Sequence, residues 1–369
     1  MKNFNPENLV RKNIKMLKPY SSARSEYTGD ASVFLDANEN SYGSPVFLSS
    51  PSGDGAGVML NRYPDPLQCE LKDALSKIKG VPLQNIFIGN GSDEVIDLAF
   101  RIFCEPAKDN VIICPPTYGM YKVCGNINDV EVREVNLKKD FQLDVEAILQ
   151  AVDSNTKLLF VCSPNNPTGN NMNRIDMELL LNNFPGIIII DEAYINYSQQ
   201  KSFLQELIEY ENLLVMQTLS KAWGLAALRV GLAFASEKII DLFNKVKPPY
   251  NINKASQDLG VRALSHIEEV NKNIQNTVEE RIKLQQQFSR FNFIQSIYPS
   301  DANFILIRTD DADGLYKYLS AQKIIVRNRS KEPLCENCLR ITIGTSEENE
   351  ILIEALNGLN PTLLRRRGK

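Results

Sequence analysis

The chain has 369 residues, 43% hydrophobic and 23% charged, with 41 Lys and Arg against 45 Asp and Glu for a formal net charge of −4. The composition is globular, the length suits a large domain with a smaller one attached, and the slight acidity excludes a basic surface for nucleic acid or anionic membrane. Seven scattered cysteines exclude a disulfide framework, and with His266 as the single histidine, Cys335-x-x-Cys338 reads as a reduced pair beside a strand rather than a zinc site.

In chain order, Met1-Lys2-Asn3-Phe4-Asn5-Pro6-Glu7 has no apolar core of the signal-peptide kind. The later apolar runs fall far short of the ~18 residues of a membrane span, so a cytoplasmic protein is expected. The chain up to about residue 60 is irregular and polar, with a loop-like segment from Ser49 to Gly57. Asn85–Ile88 reads as a short strand, and Val95, Ile96, Leu98, Ala99, Ile102 and Phe103 recur behind it at helical spacing. Further buried strands are expected at Val111–Cys114, Leu158–Cys162, Ile187–Ile190, Leu213–Gln217 and Val230–Ala235. Near-continuous apolar runs separated by helix-length segments suit a mostly parallel sheet covered on both faces.

Lys247-Pro248-Pro249-Tyr250 punctuates the chain, and the domain boundary is drawn near Asn251. Beyond it, Ser256 to Phe291 reads as one helical region in which His266 is an ordinary surface or packing residue. Strands are then expected at Asn303–Ile307, Ile324–Val326 and Leu339–Ile343. The basic tail of Arg365, Arg366, Arg367 and Lys369 reads as a solvated end.

Ligands of an open α/β sheet bind beyond the carboxyl ends of its strands. The polar motifs of this chain recur there: Gly91-Ser92, Pro115-Pro116-Thr117-Tyr118, Ser163-Pro164-Asn165-Asn166-Pro167, Asp191-Glu192-Ala193-Tyr194 and Ser220-Lys221. Gly89-Asn90-Gly91-Ser92-Asp93-Glu94 opens a helix and is either a phosphate cradle or a plain turn. Glu94 stands where a dinucleotide fingerprint needs glycine, which disfavours nicotinamide binding. Lys221, at a strand exit among small residues, is either an amine nucleophile with a depressed pKa or a buried lysine paired with a carboxylate. Asp191 follows four isoleucines. It needs a partner there, and is either the acid that keeps a pyridine nitrogen protonated or a helix cap.

The set Ser163-Pro164-Asn165-Asn166-Pro167-Thr168-Gly169, Asp191-Glu192-Ala193-Tyr194 and Ser220-Lys221 with Arg229 resembles fold-type I aminotransferases. Within them the chain is similar to the histidinol-phosphate aminotransferase family. The likeness runs from Val10-Arg11, Pro19-Tyr20 and Asp36-Ala37-Asn38-Glu39-Asn40 through Asn61-Arg62-Tyr63-Pro64 to Leu339-Arg340-Ile341-Thr342. The resemblance implies a large, mostly parallel α/β domain (31–250) binding pyridoxal 5′-phosphate, a smaller α+β domain (251–369) and an N-terminal arm (1–30).

By the same resemblance, Lys221 would carry the cofactor covalently and shuttle the proton between the substrate α-carbon and the cofactor C4′. Asp191 would pair with the pyridinium nitrogen, Asn166 and Tyr194 would bond the ring 3-hydroxyl oxygen, and Tyr118 would stack on the ring. Gly91, Ser92, the backbone of Asp93, Ser220 and Arg229 would cradle the phosphate, with Tyr63 reaching it from the neighbouring subunit of a homodimer. Tyr20, Arg327 and Arg340 would surround the substrate, with Asn38 beside it. Ser41, Ala227 and Asn328 depart from the family pattern, and Asn328 does so next to a substrate arginine.

The activity implied is reversible, ping-pong amino transfer between L-histidinol phosphate and 2-oxoglutarate in histidine biosynthesis. An aromatic aminotransferase or a threonine-phosphate decarboxylase could use the same lysine, aspartate and phosphate cup. A non-catalytic cofactor-binding regulator would be expected to carry a fused DNA-binding segment.

Overall fold

The computed structural model describes residues 4–18 and 60–359. Tyr20, Asn38, Ser41, the Ser49–Gly57 segment and the basic tail lie outside the described residues. The chain opens with the short helix α1 (Lys12–Met16), whose Ile14, with Val10, packs into the core beneath the main sheet. Helix α2 (Cys69–Lys79) precedes strand β1 (Ile86–Asn90) and helix α3 (Ser92–Phe103). Then follow β2 (Asn110–Ile113), α4 (Met120–Ile127), β3 (Glu131–Glu134), α5 (Val145–Gln150), β4 (Thr156–Cys162), α6 (Arg174–Asn183), β5 (Ile187–Asp191) and β6 (Leu213–Thr218). Strand β7 (Val230–Ala235) completes a seven-stranded sheet of order β1-β7-β6-β5-β4-β2-β3.

All pairings in this sheet are parallel except those of β7, which runs antiparallel to both β1 and β6. The apolar runs alternate between two cores, as a pleat requires. Ile188 and Ile190 of β5 enter one cluster with Leu159, Val161, Leu213 and Val215. Ile187 and Ile189 enter the other with Leu158, Phe160, Leu214 and Met216. Burying both faces explains why these strands read as unbroken hydrophobic runs.

After α7 (Glu237–Val246) come α8 (Lys254–Leu264) and α9 (Ile267–Phe288), so the single helical region expected over Ser256 to Phe291 is two helices. The break falls at Ser265 and His266, the latter at φ −102°, ψ 35° as the first cap of α9. The reason is tertiary. Leu264 of α8 belongs to a large-sheet core, with Gly260 against Leu71, whereas Leu284 and Phe288 of α9 belong to a second core.

That second core covers a four-stranded sheet of order β10-β11-β9-β8, built from β8 (Ile294–Ile297), β9 (Phe304–Thr309), β10 (Arg327–Asn328) and β11 (Cys338–Thr342). Helices α10 (Ala312–Ala321) and α11 (Ser346–Asn357) pack on it through Leu315, Leu319, Leu352 and Leu356. The strand expected at Ile324–Val326 instead pairs at Arg327–Asn328. Ile325 is exposed there, so apolar character misled the register. Strands β3 and β8 went unread because they are half-polar edge strands, Glu-Val-Arg-Glu and Ile-Gln-Ser-Ile. Cys335 and Cys338 are buried and unbridged at the start of β11. None of the described helices is long and apolar enough to cross a membrane.

Candidate active site at the carboxyl edge of the large sheet

The reversed strand β7 decides where the site forms. Because it runs against its neighbours, its first residue lies at the same edge as the last residues of β1 and β6: Val230 pairs with Asn90, and Gly231 with both Gly89 and Thr218. Arg229, just ahead of β7, thereby meets the start of α3, and its carbonyl accepts from the Gly91 N–H at 2.7 Å. A Cβ on Gly231 would come within 2.3 Å of the Gly91 carbonyl carbon and the Ser92 nitrogen, and one on Gly91 within 2.5 Å of an Arg229 Nη. Gly91 also takes φ +79°, which side-chain-bearing residues rarely adopt.

The result is a cradle with the N-terminus of α3 on one side and a guanidinium on the other, a combination that attracts a multivalent anion. Ser92 and Ser220 border the same space. Thr218 braces it, its hydroxyl accepting from the Ser220 N–H at 3.0 Å and donating to the Val230 carbonyl at 3.2 Å.

The cradle opens into a cavity of about 380 Å³ whose border also includes Asp93, Tyr118, Asn166, Asp191, Tyr194, Lys221, Arg327 and Arg340. Lys221 lies three residues past the end of β6 and borders this space, with its Nζ 5.6 Å from the centre of the Tyr194 ring. The side chain is open to the cavity, yet protein atoms crowd its base. Burial, followed by the nearby Arg340 cation, lowers the Lys221 pKa, so the neutral amine is more accessible than in an ordinary lysine.

Asp191 ends β5 and is 4% exposed. Its Oδ2 accepts from the Tyr121 hydroxyl at 2.6 Å and its Oδ1 from the Ala193 N–H at 3.0 Å. It forms no salt bridge among the described residues, and burial pushes its pKa up to about 6 despite those two donors.

Around the opening, Tyr118 donates to Asp93 Oδ1 at 3.0 Å, and Asp93 Oδ2 lies 3.6 Å from Arg229. Burial, then Asp93, raises the Tyr118 pKa. Arg340 comes from the small sheet, where it is the register partner of Arg327, and donates to the Asn166 side-chain oxygen. Its guanidinium stands 5.2 Å from the Phe304 ring, which meets Tyr194 edge-on at 5.1 Å. Beneath the strand exits a buried network ties β5 to β6: Lys79 donates to Gln217 at 2.8 Å, and Gln217 donates to Glu192 at 2.9 Å.

These residues suit pyridoxal phosphate on two independent observations. At one end a helix N-terminus, Arg229 and two serines form an anion cradle, closed up by the contact of Gly231 with the Gly91–Ser92 peptide that leaves no room for a Cβ. At the other, a fully buried carboxylate has no ion-pair partner among the described residues and calls for a cation, which a protonated pyridine nitrogen would be. Of the residues expected at the site, eleven border the cavity and Gly91 lies directly beneath it. Tyr63 does not border its own chain's cavity; it is 51% exposed and stacks on Tyr250 at 4.5 Å. Tyr20 and Asn38 lie outside the described residues.

Two residues at the site were not anticipated. Tyr121 holds Asp191 from α4, in the first turn of the helix that follows the Pro115–Tyr118 strand exit. Arg329 borders the cavity two residues after Arg327, the period of a strand.

The model of the aminotransferase class I and II family matches residues 32–356. A histidinol-phosphate aminotransferase from Bacteroides thetaiotaomicron is 52% identical over 351 residues, 95% of this chain and 97% of its own length. One from Cytophaga hutchinsonii is 50% identical over 353 residues, 96% and 99% of the two chains. Among solved structures, the histidinol-phosphate aminotransferase from Sinorhizobium meliloti in complex with pyridoxal-5′-phosphate aligns with a TM-score of 0.76 at 22% identity, covering 90% of each chain.

The raised Asp191 value has a signed consequence for stability. The folded chain holds this proton more tightly than the unfolded chain, so the contribution is full below about pH 4 and is lost as the pH rises through about 6. The interval corresponds to roughly 3 kcal/mol. Denaturant unfolding of the cofactor-free chain from pH 4 to 8 should show wild type losing that much relative to Asp191→Asn; parallel curves would refute the assignment. Tyr121→Phe removes a donor that favours the ionised acid, so the same loss should continue to higher pH.

Proposed function

The chain belongs to the histidinol-phosphate aminotransferases, within the class I and II aminotransferase family, and we propose that the cavity at the carboxyl edge of the large sheet is its active site. The enzyme transfers an amino group reversibly between L-histidinol phosphate and 2-oxoglutarate in histidine biosynthesis, with pyridoxal phosphate as cofactor. The observation that carries the siting is that Lys221, Asp191 and the Ser92–Arg229 cradle border one cavity. When bound, the cofactor supplies an electron sink for the electrons released at the substrate α-carbon.

The chain's own groups do the rest. Lys221 holds the cofactor and then moves the proton at the α-carbon; burial and Arg340 lower its pKa, which favours the amine form that accepts that proton. Asp191 stabilises the positive ring nitrogen, and its two donors, Tyr121 and the Ala193 N–H, keep the carboxylate from turning away. The same donors favour the ionised acid, which leaves the shared proton on the ring.

Gly91, Ser92, the Asp93 backbone, Ser220 and Arg229 anchor the phosphate. Asn166 and Tyr194 bond the ring oxygen, and Tyr118 covers a ring face. Arg327 and Arg340 receive the anionic group of each substrate in turn, with Tyr20 and Asn38 assigned to the same end.

The proposal extends to a homodimer in which Tyr63 reaches the phosphate of the neighbouring subunit. Its exposure, and its position away from its own cavity, support that role. It also includes a cytoplasmic location and a division into a cofactor domain (31–250), a small domain (251–369) and an arm (1–30). The two sheets with separate cores support the division.

A half-reaction tests the reading. Protein loaded with pyridoxal phosphate and mixed with histidinol phosphate, without keto acid, should convert the cofactor to its amine form far faster than with phenylalanine or threonine phosphate; preference for either competitor would overturn the substrate assignment. Lys221→Ala should retain the cofactor noncovalently while turnover falls by at least ~10²–10⁴-fold. Near-normal turnover would remove Lys221 from its role. Tyr63→Phe should weaken cofactor binding, and co-refolded with Lys221→Ala chains it should regain activity in mixed dimers that pair one intact site; failure to do so counts against the shared site.

A further inference from the structure

We propose that Arg329 is a third substrate guanidinium, one that engages the phosphate ester of histidinol phosphate and not the α-carboxylate of glutamate, and so sets how the site ranks its two substrates. The inference rests on the reading of Arg327 and Arg340 as the substrate end and adds a residue and a selectivity to it.

Backbone pairing directs the side chain. Asn328 is the register partner of Leu339 and turns toward α10, where its Nδ2 donates to Asp313 Oδ1 at 2.6 Å. Its neighbours Arg327 and Arg329 must face the other way, and both border the cavity. The Arg329 N–H donates to the Cys338 carbonyl at 2.9 Å, which extends the ladder and fixes this orientation.

The charge count leaves the guanidinium available. Among the described residues that border the cavity, Lys221, Arg229, Arg327, Arg329 and Arg340 face two carboxylates, Asp93 and Asp191. With cofactor in place, Arg229 meets its phosphate, Asp191 its ring nitrogen, and Lys221 is bonded to it. Three guanidiniums remain.

Among the described residues Arg327 and Arg340 form no salt bridge. The one that Arg329 forms, Nη1 to Glu332 Oε1, is long at 3.5 Å. The Nε atoms of both Arg329 and Arg340 are buried without a hydrogen-bond partner. Three guanidiniums that share one long ion pair among the described residues repel one another until an anion arrives. In keeping with this, burial and then Arg329 disfavour the charged form of Arg340.

The substrates differ in what they offer. On the amine-bearing carbon, histidinol phosphate carries a methylene phosphate and glutamate a carboxylate. The phosphorus lies two bonds further from that carbon, bears up to two charges and presents three terminal oxygens. A carboxylate has one charge and two oxygens, which a single fork saturates. Arg340, bonded to Asn166, and its register partner Arg327 serve the position that either substrate fills, while Arg329, two residues along the same strand, serves the far one.

Holoenzymes of wild type, Arg329→Gln, Arg329→Lys and Arg340→Gln would be compared in separate half-reactions with histidinol phosphate and glutamate, together with thermal unfolding of each cofactor-free chain. Arg329→Gln should raise the half-saturating concentration of histidinol phosphate by about tenfold or more and that of glutamate by less than about threefold, with Arg329→Lys intermediate. The melting temperature should hold or rise, because a like charge has been removed.

Equal weakening of both substrates with a lower melting temperature would make Arg329 a structural residue of the Glu332 turn and overturn the proposal. If Arg340→Gln weakens both substrates while Arg329→Gln weakens neither, this inference alone fails. If neither variant affects either substrate, the reading of the substrate end fails with it.

Discussion

The site depends on a close approach of two backbones that Gly231 makes possible. Its Cα passes so near the Gly91–Ser92 peptide that a methyl group would overlap the carbonyl carbon and the amide nitrogen. That approach seats the start of β7 against the start of α3 and brings Arg229 over the helix N-terminus. Arg229 itself takes φ +55°, a left-handed conformation that is costly for a residue with a side chain and is held here by the strand that follows. The conformation aims its guanidinium across the cradle. Without the reversed strand, the arginine would leave from the opposite edge of the sheet.

Electrostatics then divides the cavity in two. Its floor carries an acid that burial makes reluctant to ionise, held in place by a phenol and an amide. Its rim carries more cations than carboxylates among the described residues. Each imbalance is a cost in the empty chain that a bound cation or anion relieves, which is the general logic by which a binding site is less stable than it could be. The lysine stands between the two, with its charged form disfavoured by burial and by the rim.

Much of the large domain was readable locally. Four consecutive isoleucines, short and β-branched, read as a strand buried on both faces, and the two clusters they enter are those faces. The polar motifs behind these runs mark strand exits, so Ser92, Tyr118, Asn166, Asp191 and Lys221 were expected on one edge and are found there. The weaker patterns were less readable. Strands β3 and β8 are half-polar edges, and the pairing at Arg327–Asn328 follows its partner β11 rather than its own hydrophobicity.

Spacing along the chain and residue type determined the strand runs, the helix starts and the chemistry at each exit, because these follow from a few neighbouring residues. Only the tertiary structure decided what lies across a gap of many residues. Tyr121 reaches Asp191 over 70 positions and Arg340 reaches Asn166 over 174, and both contacts exist because separate elements pack against each other. The break at His266 has the same origin: one continuous helix would have satisfied the local pattern, but two cores required its halves to point in different directions.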